Sequence, residues 1–160
     1  MNLSKKSKGF TLIELLVVVA IVGLLASITL GYLGSAKKKG DDTAVKSNLA
    51  TLRSVAEIFY LNNANSYLPA SGANVNGTCP TIYNIPGTDM FSKDRIIFNA
   101  IAEAVKRGNG SSCYNSANTW AVAVGLKLTP NTSWCVDNQG TAKVAGPVLS
   151  AINNGTYLCN

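Results

Sequence analysis

From Phe10 to Leu33 the chain runs for 24 residues in which Glu14 is the only side chain charged at pH 7. At 1.5 Å per residue a helix of that length extends roughly 36 Å, more than a hydrocarbon core about 30 Å thick. The segment is therefore long and apolar enough to cross a membrane. Glu14 does not suit a passive anchor, because an acid at the centre of a lipid-exposed helix costs roughly 2.5 to 3.5 kcal/mol and somewhat less near an end. It implies a partner charge or a short stay in lipid. Before the segment come Lys5, Lys6 and Lys8, and between Lys8 and the first apolar residue stands Gly9, a small residue where a peptidase could cut.

The order of these features carries a family resemblance. The leader MNLSKKSKG followed by FTLIELLVVVAIVGLLASI resembles the class III signal peptide of type IV pilins and the related pseudopilins. The resemblance implies cleavage after Gly9 by a prepilin peptidase on the cytoplasmic side, methylation of the new amine on Phe10, and an assembly role for Glu14. It covers about 25 residues; beyond Leu33 it is looser and architectural. Many members have a helix-breaking proline in the outer part of the long helix, and here none interrupts it. Two other readings compete, a secretory signal and a plain signal anchor. A secretory h-region is 7 to 15 residues long, shorter than this run and without its acid. The expected organisation is a cytoplasmic leader at 1–9, a transmembrane or filament-core helix at 10–34, and a head at 35–160 that includes the outer half of the long helix.

A chain of 160 residues fits one small domain on a stalk. The formal charge of +6 overstates the basicity of a processed product. Removing the leader lysines leaves 11 basic against 8 acidic side chains, too weak and scattered for a nucleic-acid surface. Orientation cannot be read from charge, since Lys37, Lys38 and Lys39 after the segment balance the leader. The cysteines point to the side instead. Cys79, Cys113, Cys135 and Cys159 all follow the segment, and an even set in a small head indicates disulfides formed in an oxidising compartment. Three pairings are possible. Cys135 with Cys159 is favoured because it pins a terminus that otherwise frays, leaving Cys79 with Cys113.

Val45, Leu49, Leu52, Ala56 and Phe59 recur at helical spacing, so the helix is expected to continue with this face toward the head. Gly31, Gly34 and Gly40 are its weakest points. Asn62 to Gly77 reads as loop. A second helix is expected with Ser92 as N-cap, Ile97, Ile101 and Ala104 on one face and Gly108 as its stop, followed by a flexible Gly-Asn-Gly-Ser-Ser connection. Trp120 to Leu128 alternates as a half-buried strand, with further strands around Ser133 to Asp137 and Thr141 to Val144. The sheet is expected to bury Trp120 and Phe59 against the long helix. The fold class is thus α+β, a long N-terminal helix on a small antiparallel sheet, as the pilin resemblance also implies.

Catalytic chemistry finds little support. The chain has no histidine and no nucleophile elbow or phosphate-cradling loop, so it is not expected to be an enzyme, and no cofactor or metal is expected. Asp41-Asp42 with Lys37 to Lys39 reads as a solvated or inter-subunit collar. Asp137-Asn138 carries oxygens that calcium could use but fits a plain turn better. The sequons at Asn76, Asn109, Asn131 and Asn154 read as exposed loops. The resemblance therefore implies a structural subunit of a type IV pilus, a homopolymer that sits in the inner membrane as a single-pass protein before becoming extracellular. Its expected partners are itself, the prepilin peptidase and the inner-membrane assembly machinery. The alternatives are a periplasmic pseudopilin of a secretion or competence system, and a membrane-anchored binding domain that never polymerises.

Overall fold

The computed structural model describes residues 9–84 and 87–160; most of the leader lies outside them. Two compact units divide the chain, one ending at Lys37 and the other being Lys38–Asn160. Helix α1, Leu12–Asn62, contributes to both. Every residue from Gly9 to Gly40 is exposed, so among the described residues of the first unit the apolar side chains bury nothing against protein. In the second unit, Val45, Leu49, Leu52 and Ala56 of α1 are buried and Phe59 is half-buried. That is the face expected from the helical spacing.

The remaining elements are β1 (Val75–Gly77), the short α2 (Met90–Lys93), α3 (Arg95–Arg107), β2 (Ser111–Asn115), β3 (Trp120–Gly125), β4 (Ser133–Asp137), β5 (Ala142–Ala145) and a 3-10 turn at Val148–Ser150. The strands form one antiparallel sheet in the order β1-β2-β3-β4-β5. One face, with Trp120, Val122, Val124 and Val136, packs on the buried face of α1 and on Ile97, Ile101 and Ala104 of α3. The architecture is α+β, a long N-terminal helix against a five-stranded antiparallel sheet.

Several local expectations are corrected. The segment from Asn62 to Gly77 is not all loop, since Val75–Gly77 pairs with β2 as an edge strand. The supposed flexible connection ends in β2, where Ser111 and Ser112 are buried. Its sequence lacks apolar alternation; pairing on both sides makes it a strand, which is how context overrides strand propensity. Ser92 does not cap the second helix. It lies inside α2, whose N-cap is Asp89, and α3 begins at Asp94, whose carboxylate accepts from the N–H groups of Ile96 and Ile97 at 2.9 Å each. Strand β3 ends at Gly125, short of Leu128, because the backbone crosses there: Asn109 N–H donates to Gly125 O, and a Cβ at Gly125 would overlap the Asn109 carbonyl oxygen.

Nor is β3 half-buried. Ala121 and Ala123 on its other face are fully buried with Tyr114, Cys135 and Ala145, beneath Ala151, Ile152, Tyr157 and Cys159 of the C-terminal segment. Small residues alternating with large ones are what a strand needs when a helix covers one face and a thin segment the other.

Asn115 ties this head together. Fully buried, it accepts from Met90 N–H at 3.0 Å and donates to the Tyr67 carbonyl at 3.1 Å and that of Ser116 at 3.2 Å. Truncation strands groups on three segments in a dry interior. Asn115→Ala is expected to lower unfolding free energy by about 2 to 4 kcal/mol, measured by urea denaturation; a loss under about 0.5 kcal/mol would contradict this role.

Candidate assembly site

Thr11 precedes the first turn of α1 and Glu14 lies three residues on. Thr11 N–H and Oγ1–H both donate to Glu14 Oε2, at 2.9 and 2.7 Å, and Glu14 N–H donates back to Thr11 Oγ1 at 3.3 Å. This is a capping box, which satisfies donors that a helix start leaves unpaired. Its signature spacing is legible in Thr11-Leu12-Ile13-Glu14, a local signal separate from the assembly role expected of Glu14. Glu14 thus has a local duty besides any role between subunits. Phe10, Ile13, Glu14, Val17 and Val18 share one flank of the helix, so the carboxylate lies in an apolar surround. At Gly9 a Cβ would meet nothing within 4 Å. Among the described residues no contact calls for glycine there.

In the head, Asp41 and Asp42 are buried, at 7% exposure each, so the solvated half of the collar reading is corrected for these two acids, while Lys37 to Lys39 beside them are exposed. Asp42 accepts from the backbone N–H groups of Lys127 and Leu128 at 2.7 and 3.0 Å. Asp41 pairs with Lys127 Nζ at 3.1 Å and Arg107 Nη1 at 3.4 Å. Adjacent acids on α1 thereby clamp the end of α3 and the β3–β4 connection, where free backbone donors would otherwise be stranded. The hydrogen bond from Lys127, aided by Arg107, holds the Asp41 carboxyl below its ordinary range despite burial. A group depressed in the folded state adds stability above its unfolded pKa, near 3.9, and that stability is lost as pH falls through the folded value. Asp41→Asn is accordingly expected to flatten the loss of urea resistance below about pH 4. Parallel acid curves for the two proteins would contradict it.

The structure bonds Cys79 to Cys113 and Cys135 to Cys159. Asp137 is fully buried and committed to its turn: Oδ1 accepts from Gln139 and Thr141 N–H, and Oδ2 from Cys159 N–H. Its oxygens serve the turn reading. A groove of about 510 Å³ between α1 and the sheet is lined by Arg53, Glu57, Tyr67 and Asn138. Arg53 donates to Gly140 O, and the Tyr67 hydroxyl, its pKa pushed up by burial and then by Glu57, donates to Glu57 at 2.6 Å. Among the described residues no three His, Cys, Asp or Glu side chains gather as a metal site. All four sequon asparagines are exposed.

Residues 4–30 match the family model of the prokaryotic N-terminal methylation motif. The chain thus carries the N-terminal methylation motif, and its relatives include type IV pilins and type II secretion pseudopilins. The chain is 41% identical over 63 residues to the type IV wide pilus major component PilA4 of Thermus thermophilus, covering 39% of this chain and 47% of that protein. It is 35% identical over 63 residues to the type II secretion system core protein G of Escherichia coli, covering 39% and 43%. With core protein G of Pectobacterium carotovorum the identity is 32% over 81 residues, covering 51% and 52%. The chain spans about half the length of these relatives, or less, and no solved structure matches it.

Proposed function

We propose that this chain is a structural subunit of a type IV pilus, cut after Gly9, methylated on Phe10 and polymerised through the apolar half of α1. The carrying observation is one acid, Glu14, on a segment that is apolar and exposed from Phe10 to Leu33. Such a surface needs lipid or other copies around it, and the acid needs a cation once water is gone. The monomer spans the inner membrane as a single pass. On extraction its helix exchanges lipid for neighbouring helices, each backbone group staying hydrogen-bonded within its own helix. Heads form the outer surface of the extracellular fibre. No step needs catalysis by this chain; the prepilin peptidase and the membrane assembly machinery are its partners. Mass spectrometry of the mature N-terminus tests the reading, with a start at methylated Phe10 as the expected result. An intact Met1 terminus would instead favour a plain anchored domain.

A second reading is favoured by the likeness to core protein G over 81 residues: a pseudopilin in a short periplasmic filament. Shearing separates the two. A pilus subunit is expected in the sheared fraction, a pseudopilin with the cells.

The open space around Gly9 supports a constraint imposed by the peptidase. Gly9→Leu is expected to fold normally yet accumulate as uncut precursor, read by the size of the membrane-bound chain. Normal processing of that variant would refute cleavage at this bond.

A further inference from the structure

We propose that the basic rim formed by Lys38, Lys39, Arg107 and Lys127 docks on the phosphates of anionic lipid headgroups in the membrane that Phe10–Leu33 spans. This rests on the reading of that segment as a membrane span. Lys38 and Lys39 are exposed and, among the described residues, neither is in a salt bridge. The nearest acids along the helix cannot neutralise them, because Asp41 and Asp42 are buried and committed to Arg107, Lys127 and two backbone N–H groups. Lys38 precedes Asp41 and Asp42 by three and four residues, so it lies on their side of α1, one turn earlier. The clamp therefore brings Arg107 and Lys127, from α3 and the β3–β4 connection, to the helix level of the lysine pair. Their side chains keep 52% and 34% exposure, leaving donors free.

Reach favours the membrane. Lys38 follows Leu33 by five residues, and five residues extend at most about 18 Å even when fully stretched. Headgroups bordering the span are thus accessible whatever the local conformation. Orientation does not explain these lysines, since Lys on the far side works against the leader in setting topology. Attraction to anionic lipid does, each Lys or Arg near such a surface being worth about a fivefold change in occupancy. The rim would hold the head at the bilayer until the machinery extracts the subunit.

The test uses the full chain in vesicles of phosphatidylcholine, alone or mixed with phosphatidylglycerol. Surface lysines are acetylated with a membrane-impermeant reagent and mapped by peptide mass spectrometry. Phosphatidylglycerol is expected to lower labelling of Lys38 and Lys39 by about fivefold, with recovery in high salt and no change at Lys143, exposed on β5. Inorganic phosphate added to phosphatidylcholine vesicles is expected to protect nothing. Lys38→Gln with Lys39→Gln is expected to weaken the lipid-dependent protection of Lys127. Equal labelling in both vesicles would overturn the proposal. So would protection that follows protein-to-lipid ratio in phosphatidylcholine alone, which would place an acidic face of a second copy on the rim. Release of the chain by alkaline carbonate would reject the membrane span itself, and the docking with it.

Discussion

Glu14→Gln is expected to leave expression, membrane insertion and cleavage intact while sheared fibre falls at least tenfold relative to total mature subunit, the ratio that about 1.4 kcal/mol per docking step produces. The capping box makes this variant discriminating. Glutamine also serves at its acidic position, so the bonds with Thr11 can persist and the helix start is preserved. What disappears is the charge. We attribute its role to pairing with the α-amine of Phe10 on an incoming subunit, an amine largely protonated at neutral pH and still cationic when methylated. A misregistered subunit leaves both charges buried without partners, so the pair selects register more than it adds stability. Glu14→Asp is expected to be intermediate, its side chain reaching less far. Glu14→Ala removes cap and charge together, so a defect there but none in Glu14→Gln would assign the residue to capping alone. Equal fibre yields from wild type and Glu14→Gln would end the assembly role.

Replacing Cys135 and Cys159 together by serine is expected to destabilise the head by about 3 to 4 kcal/mol, from chain entropy for a bridge across 24 residues. Much of the outer sheet face depends on that bridge. Cys159 also donates its N–H to Asp137 and pairs with Ile152, while Tyr157 stacks on Tyr114 with ring centroids 3.9 Å apart. Released, the segment uncovers Ala121, Ala123 and Tyr114, which are buried beneath it. The expected readouts are a lower urea midpoint and new proteolytic cuts after Gly146. An unchanged midpoint with a protease-resistant terminus would show that packing alone holds the lid.

Local pattern was enough for the features whose physics is local. Apolar length before Leu33 needs no partner to declare a membrane-sized helix, and the spacing of Val45, Leu49, Leu52 and Ala56 names a buried face because helical geometry fixes which residues share a side. Strand β4 was legible for the same reason, with Ser133 to Asp137 bounded by turn residues. The Thr11–Glu14 cap is equally local, since its spacing of three residues is the signature of a capping box.

Other features have no local cause. Ser111 to Asn115 becomes a strand because β1 and β3 pair with it on both sides. Ser92 loses the capping role to Asp94 because the preceding turn is taken up by α2, capped by Asp89. Asp41 and Asp42 read as solvated charges beside a lysine run; only the fold brings Lys127 and Leu128, more than eighty residues away, within 3.1 Å. The apolar helix and its amphipathic continuation can be read from the chain alone, because their order arises between residues three and four apart. Tertiary structure decided the second covered face of the sheet, the β1–β2 pairing and the aspartate clamp, since each depends on groups distant in sequence that burial obliges to find one another.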